Sequence, residues 1–99
     1  MVSAHAFSAE LWRYEGEAAW FFVSLPTELA EKIRDENEPL AKGFGAVKVL
    51  VRIGSSTWDT SVFPDRSRDT YLLPVKKSVR RAEGLDVGDM VPVELTVLD

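Results

Sequence analysis

Between residues 46 and 53 the chain alternates, with Val47, Val49, Val51 and Ile53 on one parity and Lys48, Leu50 and Arg52 on the other. A period of two marks a strand with one buried face, because successive side chains point to opposite sides of the pleat. The alternation returns near the C-terminus, where Val91, Val93, Leu95 and Val97 predict a second inward stripe over residues 90–98. Gly54-Ser55 follows the first of these strands and suits a two-residue type II′ turn, since Gly accepts positive φ without steric cost. The return strand is then 56–63. A turn that tight sets Val51 opposite Trp58, Val49 opposite Thr60 and Val47 opposite Val62. On the other face Arg52 meets Thr57 and Lys48 meets Ser61, with Asp59 diagonal to both bases.

Residues 7–14 mix apolar and polar positions as a strand does, and Glu15-Gly16-Glu17 reads as a turn. The run AAWFFVSL over 18–25 is almost unbroken in its apolar character and predicts a well-buried strand paired with the first. Trp12, Trp20 and Trp58 are assigned to the core as the largest side chains available to fill it. Pro26-Thr27 opens a helix in which the Thr27 hydroxyl caps and Glu28 suits the positive end of the dipole. Leu29, Ala30 and Ile33 form its apolar stripe, and Pro39 bars continuation. Strands resume after the loop containing Gly43 and Gly45. Residues 64–69 (PDRSRD) have turn composition, and 70–73 make a short fifth strand. Pro74 suits the first position of a second helix over 75–83, with Val75, Val79 and Ala82 inward and Gly84 as a left-handed stop. Gly88-Asp89 turns into the last strand, where Pro92 marks a free edge or a bulge.

Six strands and two short helices without regular βαβ alternation give a mainly β fold, a small closed or partly open six-stranded barrel, antiparallel or mixed. Ninety-nine residues are expected to form a single domain over 1–99. The chain has no cysteine, which excludes disulfides, thiolate metal sites and a cysteine nucleophile. No basic start with an apolar run marks a signal peptide, and no stretch approaches a membrane span, so a cytoplasmic location is expected.

Charge is distributed in blocks. Residues 1–40 carry three bases against eight acids, 41–81 nine against three, and 82–99 none against five. The basic block concentrates on the second helix, where Lys76 with Arg80 and Lys77 with Arg81 are like-charge pairs at i,i+4 spacing. Such pairs weaken an isolated helix by a few tenths of a kcal/mol each. They call for an anionic partner, supplied either by the acidic first helix or last strand, or from outside. Arg80 and Arg81 complement the dipole at the helix C-terminus, whereas Lys76 and Lys77 oppose it at the start. Backbone N–H groups there would join the lysines around an anion. A second candidate group is Trp58 and Ser61, lining a cavity in the barrel mouth, with Arg52 pointing into the same space or pairing with Asp59.

The catalytic checklist is short. His5 is the only histidine and lies in a terminus expected to fray. Serines 55, 56 and 61 have no nucleophile-elbow context, and the Gly-rich stretch before residue 46 precedes a strand and not a helix. No metal or cofactor is expected.

The segments GFGAVKVLVRIGSSTWDTSVFPD and YLLPVKKSVRRAEGLDVGD, with the earlier F-x-A-x-L-W and W-F-F-V-x-L-P, resemble the family catalogued as domain of unknown function 1905. The resemblance runs from about Phe7 to Val97. It implies a small closed barrel, alone or fused to a bacteriocin-protection type domain, and brings no activity or site residue. The order strand, L-P-x-x-x-x-V-R, short helix, G-L-x-x-G-D, strand over Tyr71–Val97 is also similar to the swapped-hairpin half-barrel of AbrB-type and MazE-type transcription factors. That likeness implies a double-split barrel held within one chain.

Three functions follow as expectations. The first is a non-catalytic binding or interaction module holding a small anion or an acidic protein surface on Lys76, Lys77, Arg80 and Arg81, with Arg52 as a further candidate. The second is an AbrB-like nucleic-acid-binding protein, which the formal charge of -4 disfavours. The third is a small-molecule enzyme with its site in the barrel mouth. No membrane partner is expected, and the chain reads as a monomer or weak dimer.

Overall fold

The valine stripes predict where the wall of the molecule must face inward, and the wall closes around them. The computed structural model describes residues 3–16, 19–37 and 45–98. Its elements are β1 (Ser3–Arg13), β2 (Phe21–Ser24), α1 (Thr27–Asn37), β3 (Val47–Ile53), β4 (Ser56–Asp65), β5 (Thr70–Pro74), α2 (Lys77–Glu83) and β6 (Met90–Val97). The six strands close into a barrel in the order β1-β2-β5-β4-β3-β6, every pair antiparallel. Expectations placed on Glu17, Ala18, Pro39 and Gly43 lie outside the described residues.

The β3–β4 hairpin has the register the turn demands, with Val47↔Val62, Val49↔Thr60, Val51↔Trp58, Lys48↔Ser61 and Arg52↔Thr57. Gly54 has φ +59° and Ser55 is not in the positive-φ region, the pattern of a type II′ turn. Val49, Val51, Val91 and Leu95 are fully buried, with Val47, Ile53, Val93 and Val97 nearly so. β1 lies between β2 and β6, and Leu11 joins the same core. α1 lays Leu29, Ala30 and Ile33 onto it. Buried Thr70 donates its hydroxyl to the Leu25 carbonyl at 2.7 Å, tying the β2–α1 connection to β5.

Several local expectations are corrected. α1 begins one residue early: the Ala30 N–H donates to the Pro26 carbonyl at 2.9 Å, so Thr27 is already helical. α2 begins at Lys77 with Lys76 as its N-cap, because the Val75 N–H is taken by the Phe21 carbonyl at 2.9 Å and Pro74 ends β5. Val75 and Val79 are buried, but Ala82 faces solvent. Gly84 caps α2 in the left-handed region, as expected. His5 is part of β1, opposite Leu95, and is not a frayed end. Pro92 sits opposite Ser8 of β1, while the β3 ladder reaches β6 only from Glu94 to Val97, so β6 has a strand on one side alone at Pro92.

The aromatic run of β2 departs most from expectation. Only Val23 and Leu25 are buried, Phe21 and Phe22 are half-buried, and Trp20 is 52% exposed. A barrel wall has one inner face, so alternation sends Phe21 and Val23 in and Trp20 and Phe22 out. Trp12, paired with Phe22 across the ladder, faces outward with it.

No described helix is long and apolar enough to cross a membrane.

Candidate functional site

β4 and β5 are neighbours in the barrel, yet their ladder runs only from Asp65↔Thr70 to Phe63↔Leu72. Beyond it, from Trp58 to Val62, β4 has β3 on one side and no strand on the other. β5 meanwhile leaves through Pro74 towards α2. The divergence opens a cleft of about 530 Å³ between Ala19–Phe21, Trp58–Thr60 and Pro74–Lys77, with Arg80 reaching in from the second turn of α2.

Three cations line this cleft, Lys76, Lys77 and Arg80, against one carboxylate, Asp59. The Lys76 ammonium lies 5.9 Å from the centre of the Trp58 ring. The Arg80 guanidinium covers the Phe21 ring at 3.7 Å and donates through Nε to the Val75 carbonyl at 3.1 Å. Aromatic faces attract a cation without neutralising it. Among the described residues, no carboxylate oxygen comes within 4 Å of Lys76, Lys77, Arg80 or Arg81.

The internal partners expected for these bases are engaged elsewhere or exposed. The α1 acids Glu28, Glu31, Asp35 and Glu36 are exposed, and Glu94 of β6 pairs with Arg52 at 3.7 Å. Glu83, the one acid on α2, turns to the β3–β4 hairpin. It accepts from the Ser56 hydroxyl at 2.7 Å, the Ser55 hydroxyl at 3.2 Å and the Ser55 N–H at 3.4 Å. The Ser56 hydrogen bond, followed by those from Ser55, holds its carboxyl below the usual glutamate value against the opposing effect of burial. Glu83 thus fixes α2 over the barrel end and leaves the cations of its first turn unopposed.

The candidate residues separate. Lys76, Lys77, Arg80 and Trp58 come together in the cleft; Arg81, Arg52 and Ser61 do not line it. Arg81 is exposed beyond the cleft's lining. Arg52 faces outward to Glu94 and the Gly54 carbonyl and lines a separate depression of about 480 Å³ beside Pro92, so it neither shares a space with Trp58 nor pairs with Asp59. Ser61 pairs with outward Lys48, as two-residue alternation requires for a position three beyond inward Trp58. Asp59 and Thr60, the neighbours of Trp58 in the expected cavity, line the cleft with it, whereas Trp20 and Phe21 were not anticipated there. Aromatic density at 20–22 was the available signal. Because α2 has only seven residues and Lys76 is its cap, the cationic character rests on side chains and not on a helix terminus.

The cleft contains no histidine, and His5 lines none of these depressions. Among the described residues no three His, Asp or Glu side chains converge as a metal site. The arrangement suits binding of negative charge beside flat apolar walls.

The profile of one family, described as Domain of unknown function (DUF1905), matches residues 7–95. The chain belongs to this family. The match takes in β2 to β5 and both helices whole and most of β1 and β6, so the cleft lies within the family's domain and not in an appendage. No AbrB-type half-barrel accompanies the match. No curated protein matches the chain.

Proposed function

We propose that this DUF1905 domain is a binding module that holds a small anion in the cleft between β4, β5 and α2. The observation that carries the reading is the set of three cations, Lys76, Lys77 and Arg80, which line one concave space with no carboxylate oxygen within 4 Å of them among the described residues. Arg80 is held in place by Phe21 and the Val75 carbonyl, so its remaining N–H groups are pre-oriented donors. A carboxylate or phosphate oxygen would complete these contacts with charge-assisted hydrogen bonds. Asp59, the one carboxylate in the lining, repels anions beside it and so favours a ligand on the α2 side.

The test is an amide and indole NMR titration with inorganic phosphate at low ionic strength. Saturable shifts are expected at residues 76–80 and at the Trp58 indole, weakening as salt is raised. The double variant Lys76→Ala/Lys77→Ala is expected to lose about tenfold or more in affinity, since one charge-assisted hydrogen bond contributes roughly 1.5–3 kcal/mol. Saturation mapping to another surface, or no loss in the double variant, sinks the assignment.

A further inference from the structure

Trp20 borders the cationic cleft on one side and an apolar slot on the other. The slot, of about 310 Å³, is lined by Tyr14, Trp20, Phe22, Phe63 and Leu72, with no charged side chain among them. Three of its rings are wet: Trp20 is 52% exposed, Tyr14 47% and Phe63 40%. Adjoining exposed apolar rings on a small domain mark a place where something else binds. The rings are already ordered against one another. Trp20 lies nearly parallel to Phe22, with centroids 6.0 Å apart and planes at 7°, and Tyr14 meets Phe22 edge-on at 6.3 Å.

Charge around this aromatic row is one-sided. At the far end Arg68 lies 4.3 Å from the Trp12 ring centre, but Asp65 holds it at 2.6 Å. At the near end, across Trp20, Lys76 and Lys77 have no such carboxylate among the described residues. A ligand spanning Trp20 therefore meets an uncharged, flat, aromatic surface on one side and excess positive charge on the other.

We infer that the ligand is a small amphipathic anion, a flat ring system joined by a short link to a carboxylate or phosphate. The ring lies in the slot against Trp20, and the anionic group sits among Lys76, Lys77 and Arg80. Slot and cleft are each within the size range of small-molecule sites. This inference rests on the anion-binding reading above and adds the second half of the ligand.

Three probes separate the two halves: inorganic phosphate, 1-naphthol and 1-naphthyl phosphate, titrated by NMR and calorimetry. Naphthyl phosphate is expected to bind at least about tenfold more tightly than either of the others, the gain that stacking on exposed rings supplies. Trp20→Ala should remove that gain, and Phe63→Ala, a slot residue outside the cleft, should reduce it while leaving inorganic phosphate unchanged. Circular dichroism checks that both variants fold. Lys76→Ala/Lys77→Ala should weaken both phosphates. Equal affinity for naphthyl and inorganic phosphate, or a gain that survives Trp20→Ala, overturns the inference and leaves the anion site standing. Naphthol binding as tightly as naphthyl phosphate also overturns it. Failure of both phosphates overturns the anion site and the inference together. Tighter capture of oligo(dT) or an acidic peptide than of naphthyl phosphate, through the same residues, overturns a small-molecule ligand in favour of a macromolecule.

Discussion

Leu95 and Leu50 offer a direct test of the barrel wall, because they are near neighbours on paired strands that face opposite ways. Leu95 pairs with Val51 and His5 and is 0% exposed; Leu50 pairs with Thr96, the next residue along, and is 36% exposed on the outer surface. Truncating Leu95 to Ala removes a side chain whose burial contributes about 1.5–3 kcal/mol by transfer alone. The cavity left in a closed wall raises the cost to about 2.7–5 kcal/mol. An unfolding entropy of about 2.1 cal/mol/K per residue, taken over 99 residues, amounts to about 0.2 kcal/mol/K. A loss of about 3 kcal/mol then lowers Tm by about 14 °C. Leu50→Ala, leaving no cavity, is expected to cost below about 1 kcal/mol and shift Tm by about 5 °C or less. Thermal melts followed by circular dichroism, with urea unfolding to check that the m-value is unchanged, measure both. Equal losses from the two variants would refute the inward assignment of β6 and, with it, the placement of every cleft residue.

Gly54→Ala places a non-Gly residue at φ +59° and drives its Cβ into Glu83 Oε1. The backbone alone costs about 1–2 kcal/mol, and adding Glu83→Ala should recover part of the loss, which a double-mutant cycle in urea would register. The folded Glu83 carboxyl titrates below its ordinary value of 4.5. Its contribution is therefore fully present above that value and lost as pH falls through the lower folded value. Wild type should lose stability more steeply with acid below about pH 4.5 than Glu83→Gln does, and coincident acid limbs would count against the hairpin contacts. Thr70→Val removes the buried hydroxyl that serves the Leu25 carbonyl and is expected to cost about 1–2 kcal/mol in chemical denaturation.

The hairpin shows how much of the wall was legible in advance. A two-residue turn at Gly54-Ser55 admits one tight register, so every pair from Val47↔Val62 to Arg52↔Thr57 followed from local chemistry. The valine stripes at 47–53 and 91–97 were equally readable, since only one face of such strands can be buried. Trp20 was misassigned because a continuous apolar run hides its own alternation: with both parities hydrophobic, nothing in 20–23 says which face meets the core. Ser61 carried its answer in the sequence, being three positions from Trp58 and hence on the other side of the wall. Ala82 was lost because a helix of two turns buries only what the neighbouring barrel end can cover, which here is Val79.

By itself, then, the order of residues determined the strands, the hairpin register, the inward stripes and the clustering of positive charge after Pro74. Those are local properties, set by side-chain parity and turn stereochemistry within a few residues. Only the tertiary structure decided which charges share a space. Closing six strands brings residues 19–21, 58–60 and 74–77, from 14 to 58 positions apart in the chain, around one gap where the β4–β5 ladder ends. It also assigns Glu83 to the hairpin and Glu94 to Arg52, so that among the described residues no carboxylate oxygen comes within 4 Å of Lys76 or Lys77. That allocation depends on distances across the barrel, which no local pattern encodes.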